Sequence, residues 1–224
     1  MGDATYQDNI LEKLIDEFSI GPVVDLSHQK LSDYDMPIVV HKAIIKQQCK
    51  ELWLQANQIS PTGAAIIADA LPKSSTLETL YLRDNRLSDK GVCFLAMALS
   101  APNSMVKDLG LGGNNITDAG VQYLAEMLKK NTSLTTLYLR HNQISDQGVE
   151  ILADALAYHN TTLKELYLSS NPMISDQSVD FLANMLMCNR SLRRLWIQSL
   201  DLSEDSKARL RKLNEEKGSF DLSL

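Results

Sequence analysis

One short string constrains this chain more than any other feature. It reads Leu52-Trp53-Leu54-Gln55-Ala56-Asn57-Gln58-Ile59, and it returns as Leu80-Tyr81-Leu82-Arg83-Asp84-Asn85-Arg86-Leu87. It returns again from Leu109 to Ile116, from Leu137 to Ile144 and from Leu166 to Asn171. The asparagines stand at 57, 85, 114, 142 and 171, in steps of 28, 29, 28 and 29. One step back lies a degenerate copy, Val24-Asp25-Leu26-Ser27-His28-Gln29-Lys30-Leu31, and one step forward lies Leu195-Trp196-Ile197-Gln198-Ser199-Leu200. A fixed period of this size marks a stacked array, in which no unit buries its own apolar face and neighbours must do so for each other.

Each unit opens with apolar residues at every second position, the mark of a strand with one buried face. A turn then leads to Ser88-Asp89-Lys90-Gly91, Thr117-Asp118-Ala119-Gly120 or Ser145-Asp146-Gln147-Gly148. Serine or threonine suits a helix N-cap, and aspartate in the first turn suits the helix dipole. Pro61, after Ser60, fits the first helical position. Apolar residues at helical spacing follow, as in Val92, Leu95, Ala96 and Leu99. Gly63, Gly91, Gly120 and Gly148 recur in the first turn, where a missing side chain allows close approach of a neighbour. Every unit therefore reads strand, turn, helix, turn.

The leucine and asparagine pattern, with its long helix and alternating period, resembles the leucine-rich-repeat proteins of the ribonuclease-inhibitor type. The match covers roughly residues 21–202. The resemblance implies an α/β fold: a right-handed solenoid arc with parallel strands on the concave face and helices on the convex face. It also implies that the asparagine side chains bond to backbone groups of the turns, forming a ladder. Relatives of this kind, namely ribonuclease inhibitors, innate-immune receptor tails and GTPase-activating proteins for Ran, bind proteins.

Three parts are expected. Residues 1–20 form an N-terminal capping helix, with Ile10, Leu11, Leu14, Ile15 and Phe18 on one face and Gly21-Pro22 as its stop. Residues 21–202 hold seven repeats. Residues 203–224 hold a C-terminal capping helix, begun by Ser203 and ended by Gly218, and a loose tail from 219.

The residue between the two strand leucines points away from the core. Through seven units this column reads Asp25, Trp53, Tyr81, Gly110, Tyr138, Tyr167 and Trp196. Its aromatics form a stripe that Gly110 divides into a pair and a trio. The next outward columns contribute Arg83, Arg140, Asp84 and His141, while Gly112 and Gly113 leave the third unit bare. Tryptophan, tyrosine and arginine dominate binding hot spots. The candidate partner-binding residues are thus Trp53, Tyr81, Arg83, Asp84, Tyr138, Arg140, His141, Tyr167 and Trp196.

Other chemistry is weakly represented. His28 and His141 hold equivalent positions four units apart, roughly 19 Å at about 4.8 Å per strand, too far to share a metal. Cys49, Cys93 and Cys188 form no zinc pattern and no disulfide framework. The glycines of the third unit lie in a strand, with no Gly-Lys-Ser/Thr after them, so they are not a phosphate loop. Asn131, Asn160 and Asn189 match glycosylation sequons, as does Asn115, but their regular spacing marks them as repeat wording.

The 224 residues carry a net charge of −6, which disfavours nucleic acid as a partner. The first eight residues lack a basic segment followed by an apolar run, so no signal peptide is expected, and no membrane span is visible. The reading is a non-enzymatic, monomeric, cytoplasmic protein-binding scaffold without cofactor, engaging a protein on its concave face. The alternatives are a regulator acting in trans on a GTPase through Arg83 or Arg140, and a bacterial effector secreted into a host cytosol.

Overall fold

A computed structural model of the chain describes residues 2–218 and 220–224. Helix α1 (Gly2–Glu17) leads to a short strand β1 (Ser19–Ile20), which pairs antiparallel with β2 (Val23–Asp25). From β2 onward the chain alternates strand and helix: β3 (Glu51–Trp53), α3 (Pro61–Ala70), β4 (Thr79–Tyr81), α4 (Ser88–Leu99), β5 (Asp108–Gly110) and α5 (Asp118–Leu128). It continues through β6 (Thr136–Tyr138), α6 (Asp146–Tyr158), β7 (Glu165–Tyr167), α7 (Val179–Cys188), β8 (Arg194–Trp196), α8 (Glu204–Lys217) and β9 (Asp221–Ser223). Between β2 and β3 stand only the four-residue α2 (Met36–Val39) and a π-helical segment, Val40–Lys46. Among the described residues the strands form one sheet in sequence order, parallel from β2 to β9.

The register explains the repeat. Leu52, Leu80, Leu109, Leu137, Leu166 and Leu195 are direct cross-strand neighbours. All six are buried, and Leu54, Leu82, Leu111, Leu139 and Leu168 form a second buried row. The helix residues Val92, Leu95 and Leu99, with their equivalents in α5 and α6, close the core from the other side. A fully buried leucine contributes about 1.5–3 kcal/mol, so stacking supplies what one unit lacks.

Three polar ladders run through this core. Asn142 accepts from the backbone N–H of Asn114 (3.0 Å) and Ile116 (3.1 Å) and donates to the carbonyls of Leu111 and Leu139. Asn57, Asn85, Asn114 and Asn171 do the same in their turns. The sequon asparagines form a second ladder where helices return to strands. Asn131, Asn160 and Asn189 are buried, donate to Leu99, Leu128 and Leu156, and accept from Leu134, Leu163 and Leu192. Their amide nitrogens are thus occupied and enclosed, which leaves no room for a glycan. Lys217 ends this row: its Nζ donates to the carbonyls of Leu186 and Asn189.

The third ladder is acidic. Asp118 accepts from the backbone N–H of Ser145 at 2.9 Å and from its hydroxyl at 2.5 Å. Asp33 does so for Ser60, Asp89 for Thr117 and Asp146 for Ser175. Asp89, Asp118 and Asp146 each link one helix N-terminus to the next, and Asp33 does so from the turn before α2. This gives the first-turn glycines a sharper role: a Cβ at Gly63, Gly120 or Gly148 would overlap the preceding unit's aspartate and an isoleucine of its own turn.

Several expectations need correction. Ser88 does not cap α4; its φ is +52° and no side-chain cap bond forms. The ladder position in the preceding unit is Pro61, so no carboxylate is present to draw Ser88 into the extended N-cap conformation. Ile10 and Phe18, expected on the inner face of α1, are exposed, while Leu11 and Ile15 are buried. The stretch read as a loose tail from 219 is ordered over its described residues: β9 pairs with β8, and Phe220 is buried over the end of the core.

Candidate functional site

The outward column of β3 to β8 carries the candidate aromatics. Direct pairing places Trp53 beside Tyr81, Tyr81 beside Gly110, Gly110 beside Tyr138, and Tyr138, Tyr167 and Trp196 in succession. The rings form a continuous row. Trp53 and Tyr81 are 6.1 Å apart and tilted, Tyr138 and Tyr167 are stacked at 4.4 Å, and Tyr167 meets Trp196 edge-on at 5.1 Å. Tyr81 also reaches Tyr138 edge-on, at 5.9 Å. The expected division at Gly110 is therefore absent. Without a side chain there, Tyr81 leans across β5; a Cβ on Gly110 would lie 2.8 Å from its ring.

The row is not uniformly exposed. Trp53, Tyr81, Tyr138 and Trp196 are half-buried, whereas Tyr167 is only 6% exposed, covered by its neighbours. It is a support for the surface more than a contact on it. Its hydroxyl donates to Glu165 (2.7 Å) and accepts from Arg194 (3.2 Å), and Arg194 also binds Glu165 (3.1 Å) and Asp221 (2.6 Å). The Arg194 guanidinium lies 5.9 Å from the Trp196 ring centre. At the other end, Trp53 Nε1 donates to Glu51 at 3.1 Å. Burial and the nearby carboxylates push the phenols of Tyr138 and Tyr167 up to about 12, and Tyr81 is raised by the same causes. These phenols stay neutral hydrogen-bonding groups at ordinary pH.

Beyond the aromatic row stand Arg83, Asp84, Arg140 and His141. Arg83 pairs with Asp84 at 3.1 Å, while Arg140 is half-buried and His141 exposed. Asp84 and His141 share a feature that periodicity did not announce. With His28, Ala56, Gly113, Ser170 and Ser199 they occupy the left-handed region, at φ from +54° to +64°, directly before the ladder position, which is asparagine in all but the two outer units. Six of these seven residues carry a side chain where glycine is the easy choice, so the turn holds each at some conformational cost.

Beside the touching rings of Tyr81 and Tyr138 lies a hollow of about 250 Å³, lined also by Gly110, Gly112, Gln55, Arg83 and Arg140. Sequence reasoning registered the bare strand but not the hollow. The sequence places Gln55, Glu165 and Arg194 in the outward columns beside the aromatics, but the candidate binding set does not include them. Among the described residues no group of His, Cys, Asp and Glu is placed to hold a metal ion. Cys49 is buried, which raises its thiol to about 12. No described helix is long and apolar enough to cross a membrane.

Comparison with known proteins agrees with this architecture. A family model described as a leucine-rich repeat matches residues 73–96, 103–125, 130–153 and 159–183. The chain is 31% identical over 174 residues to the mouse (Mus musculus) ribonuclease inhibitor, covering 77% of this chain and 38% of that protein. It is 30% identical over 182 residues to NACHT, LRR and PYD domains-containing protein 3 of Bos taurus, covering 81% of this chain and 18% of that protein. The chain thus spans well under half the length of these curated relatives. Among solved structures it resembles the actin-binding site 2 of leiomodin-1 (TM-score 0.56, 18% identity, 67% of this chain and 86% of that one). The C-terminal domain of Caenorhabditis elegans tropomodulin matches equally well (TM-score 0.56, 18% identity, 67% of this chain and 90% of that one). Repeat length, sheet register, asparagine ladder and these similarities converge: the chain is a leucine-rich-repeat protein of the ribonuclease-inhibitor type.

Proposed function

We propose that this chain is a non-enzymatic protein-binding scaffold that engages its partner on the concave sheet face, as a monomer in the cytoplasm. The observation that carries this reading is the unbroken row of rings from Trp53 to Trp196, presented on a parallel sheet beside Arg83 and Arg140. Rings held by cross-strand neighbours lose little freedom on binding, and aromatic and arginine anchors supply most of the energy of protein interfaces. Two of the similar proteins are named for a protein they act on, ribonuclease in one case and actin in the other, and this supports the same class of ligand here.

Affinity capture with the full chain tests the proposal. Wild type is compared with Trp53→Ala and Tyr138→Ala, and with Tyr158→Ala and Met97→Ala on exposed helix positions. A specific partner should be lost from the first two variants and kept by the last two. Undiminished capture by folded Trp53→Ala and Tyr138→Ala variants would overturn the concave-face reading.

A further inference from the structure

The hollow at the centre of the sheet has a definite chemistry. It is lined by Gly110 and Gly112, by the touching rings of Tyr81 and Tyr138, and by Gln55, Arg83 and Arg140. Both glycines are needed for this shape. A Cβ on Gly110 would strike the Tyr81 ring, and one on Gly112 would lie 3.0 Å from the Arg140 carbonyl and 3.5 Å from Cγ of Arg83. An apolar cavity of about 150 Å³ holds a benzene ring, so about 250 Å³ accommodates one aromatic side chain.

The charges around the hollow are arranged unevenly. Along β5 and the turn after it the residues at every second position are Asp108, Gly110 and Gly112, so the carboxylate stands at one end and the arginines at the other. Arg83 and Arg140 follow β4 and β6, in the units on either side of Gly112, about 10 Å apart in backbone spacing, with no side chain between them. Arg83 is partly compensated by Asp84. Arg140 forms no ion pair among the described residues. A half-buried, uncompensated guanidinium beside a ring-lined hollow favours a carboxylate next to an incoming ring.

We infer that this cavity receives one aromatic side chain of a partner protein, with a carboxylate adjacent to it in the partner's chain held between Arg83 and Arg140. The inference rests on the concave-face reading above and names the partner chemistry of that face. A stacked base with its phosphate would use similar groups. The peptide is favoured because Glu51, Asp108 and Glu165 border the tyrosines and repel a continuous phosphate backbone.

The test is a titration of the isotope-labelled full chain followed by NMR. The probes are a capped, glycine-flanked Glu-Phe-Glu peptide, its Gln-Phe-Gln and Glu-Ala-Glu counterparts, and a short oligothymidylate. The amide signals of Gly110 and Gly112 should move with Glu-Phe-Glu at roughly millimolar concentration, and the other two peptides should bind about tenfold more weakly. Arg140→Gln should abolish the preference for Glu over Gln while keeping that for Phe over Ala. Unmoved glycine signals, indifference to the peptide sequence, or tighter binding of the oligothymidylate would each overturn the inference. Tyr158→Ala, at an exposed helix position away from the sheet, should leave the peptide titration unchanged, while partner capture by Trp53→Ala, whose side chain does not line the cavity, reads the broader concave face separately. Failure of the cavity assignment is therefore distinguishable from failure of the proposed function.

Discussion

The ring of Tyr81 meets the ring of Tyr138 edge-on, with centroids 5.9 Å apart, although a whole repeat lies between the two residues. Strands β4 and β6 are not neighbours in the sheet; β5 separates them. The contact exists because Gly110 leaves its place on β5 vacant and the Tyr81 ring fills part of it. One absent side chain thus joins the aromatic row, and the same bare stretch, with Gly112, lines the cavity beside it.

Gly110→Ala should separate these effects. The added Cβ requires the Tyr81 ring to swing outward, which breaks the Tyr81–Tyr138 contact. Glycine is a poor strand residue, so the lost ring contact is offset and stability should change by less than about 1 kcal/mol. Loss of the nuclear Overhauser contact between the two rings, in a protein of nearly unchanged urea midpoint, is the expected result.

The asparagine ladders predict sharper losses. Asn142→Ala leaves the backbone N–H groups of Asn114 and Ile116, and two carbonyls, without their side-chain partner. Each such variant should cost about 1–3 kcal/mol. Asn160→Ala, in the second ladder, should lie in the same range, whereas Glu150→Ala on the exposed face of α6 should change little. Urea unfolding of the three variants provides the comparison, and equal midpoints would remove the ladders from the stability argument.

Two glycines at equivalent helix positions should respond differently to the same substitution. At Gly148 an added Cβ overlaps the Asp118 carboxylate and lies 2.6 Å from Cγ2 of Ile144. Gly148→Ala should therefore cost about 1–3 kcal/mol through overpacking and a displaced ladder residue. At Gly91 the preceding unit has Pro61 in place of aspartate, and the nearest atoms are Cβ of Leu87 at 3.1 Å and of Ala64 at 3.2 Å. Improved helix propensity offsets that milder crowding, so Gly91→Ala should stay within about 1 kcal/mol of wild type. Thermal or urea midpoints of the pair decide it.

The stacked tyrosines set an alkaline limit. Tyr138 and Tyr167 are pushed up to about 12 in the folded protein, first by burial. In the unfolded chain a tyrosine titrates near 10. Below about pH 10 both states keep the phenol protons and these groups contribute no pH dependence. Between about 10 and 12 the unfolded state releases them first, so it binds fewer protons and stability falls as pH rises. The double variant Tyr138→Phe/Tyr167→Phe should show a shallower fall between about pH 9 and pH 11 in urea unfolding. An identical slope in both proteins would contradict the burial of these phenols.

Much of the fold is already determined by the residues themselves. Period-two leucines followed by helical spacing, repeated at 28 or 29 residues, allow only a stack in which each unit completes its neighbour's core. The aromatic column was equally legible, since a strand's alternation assigns Trp53, Tyr81, Tyr138, Tyr167 and Trp196 to one face. What the tertiary structure decided was how far each side chain reaches once placed there. Strand spacing is about 4.8 Å, and a tyrosine ring is longer than that. Tyr81 can therefore cross the gap at Gly110, and Tyr167 can be buried beneath its neighbours. The same holds at the helix N-termini, where Ser88 and Ser145 occupy equivalent places but only Ser145 caps its helix, because Asp118 faces it and Pro61 faces Ser88. Periodicity specifies the address of a side chain; its conformation depends on the residue one repeat away, and that neighbour acts only after the units stack.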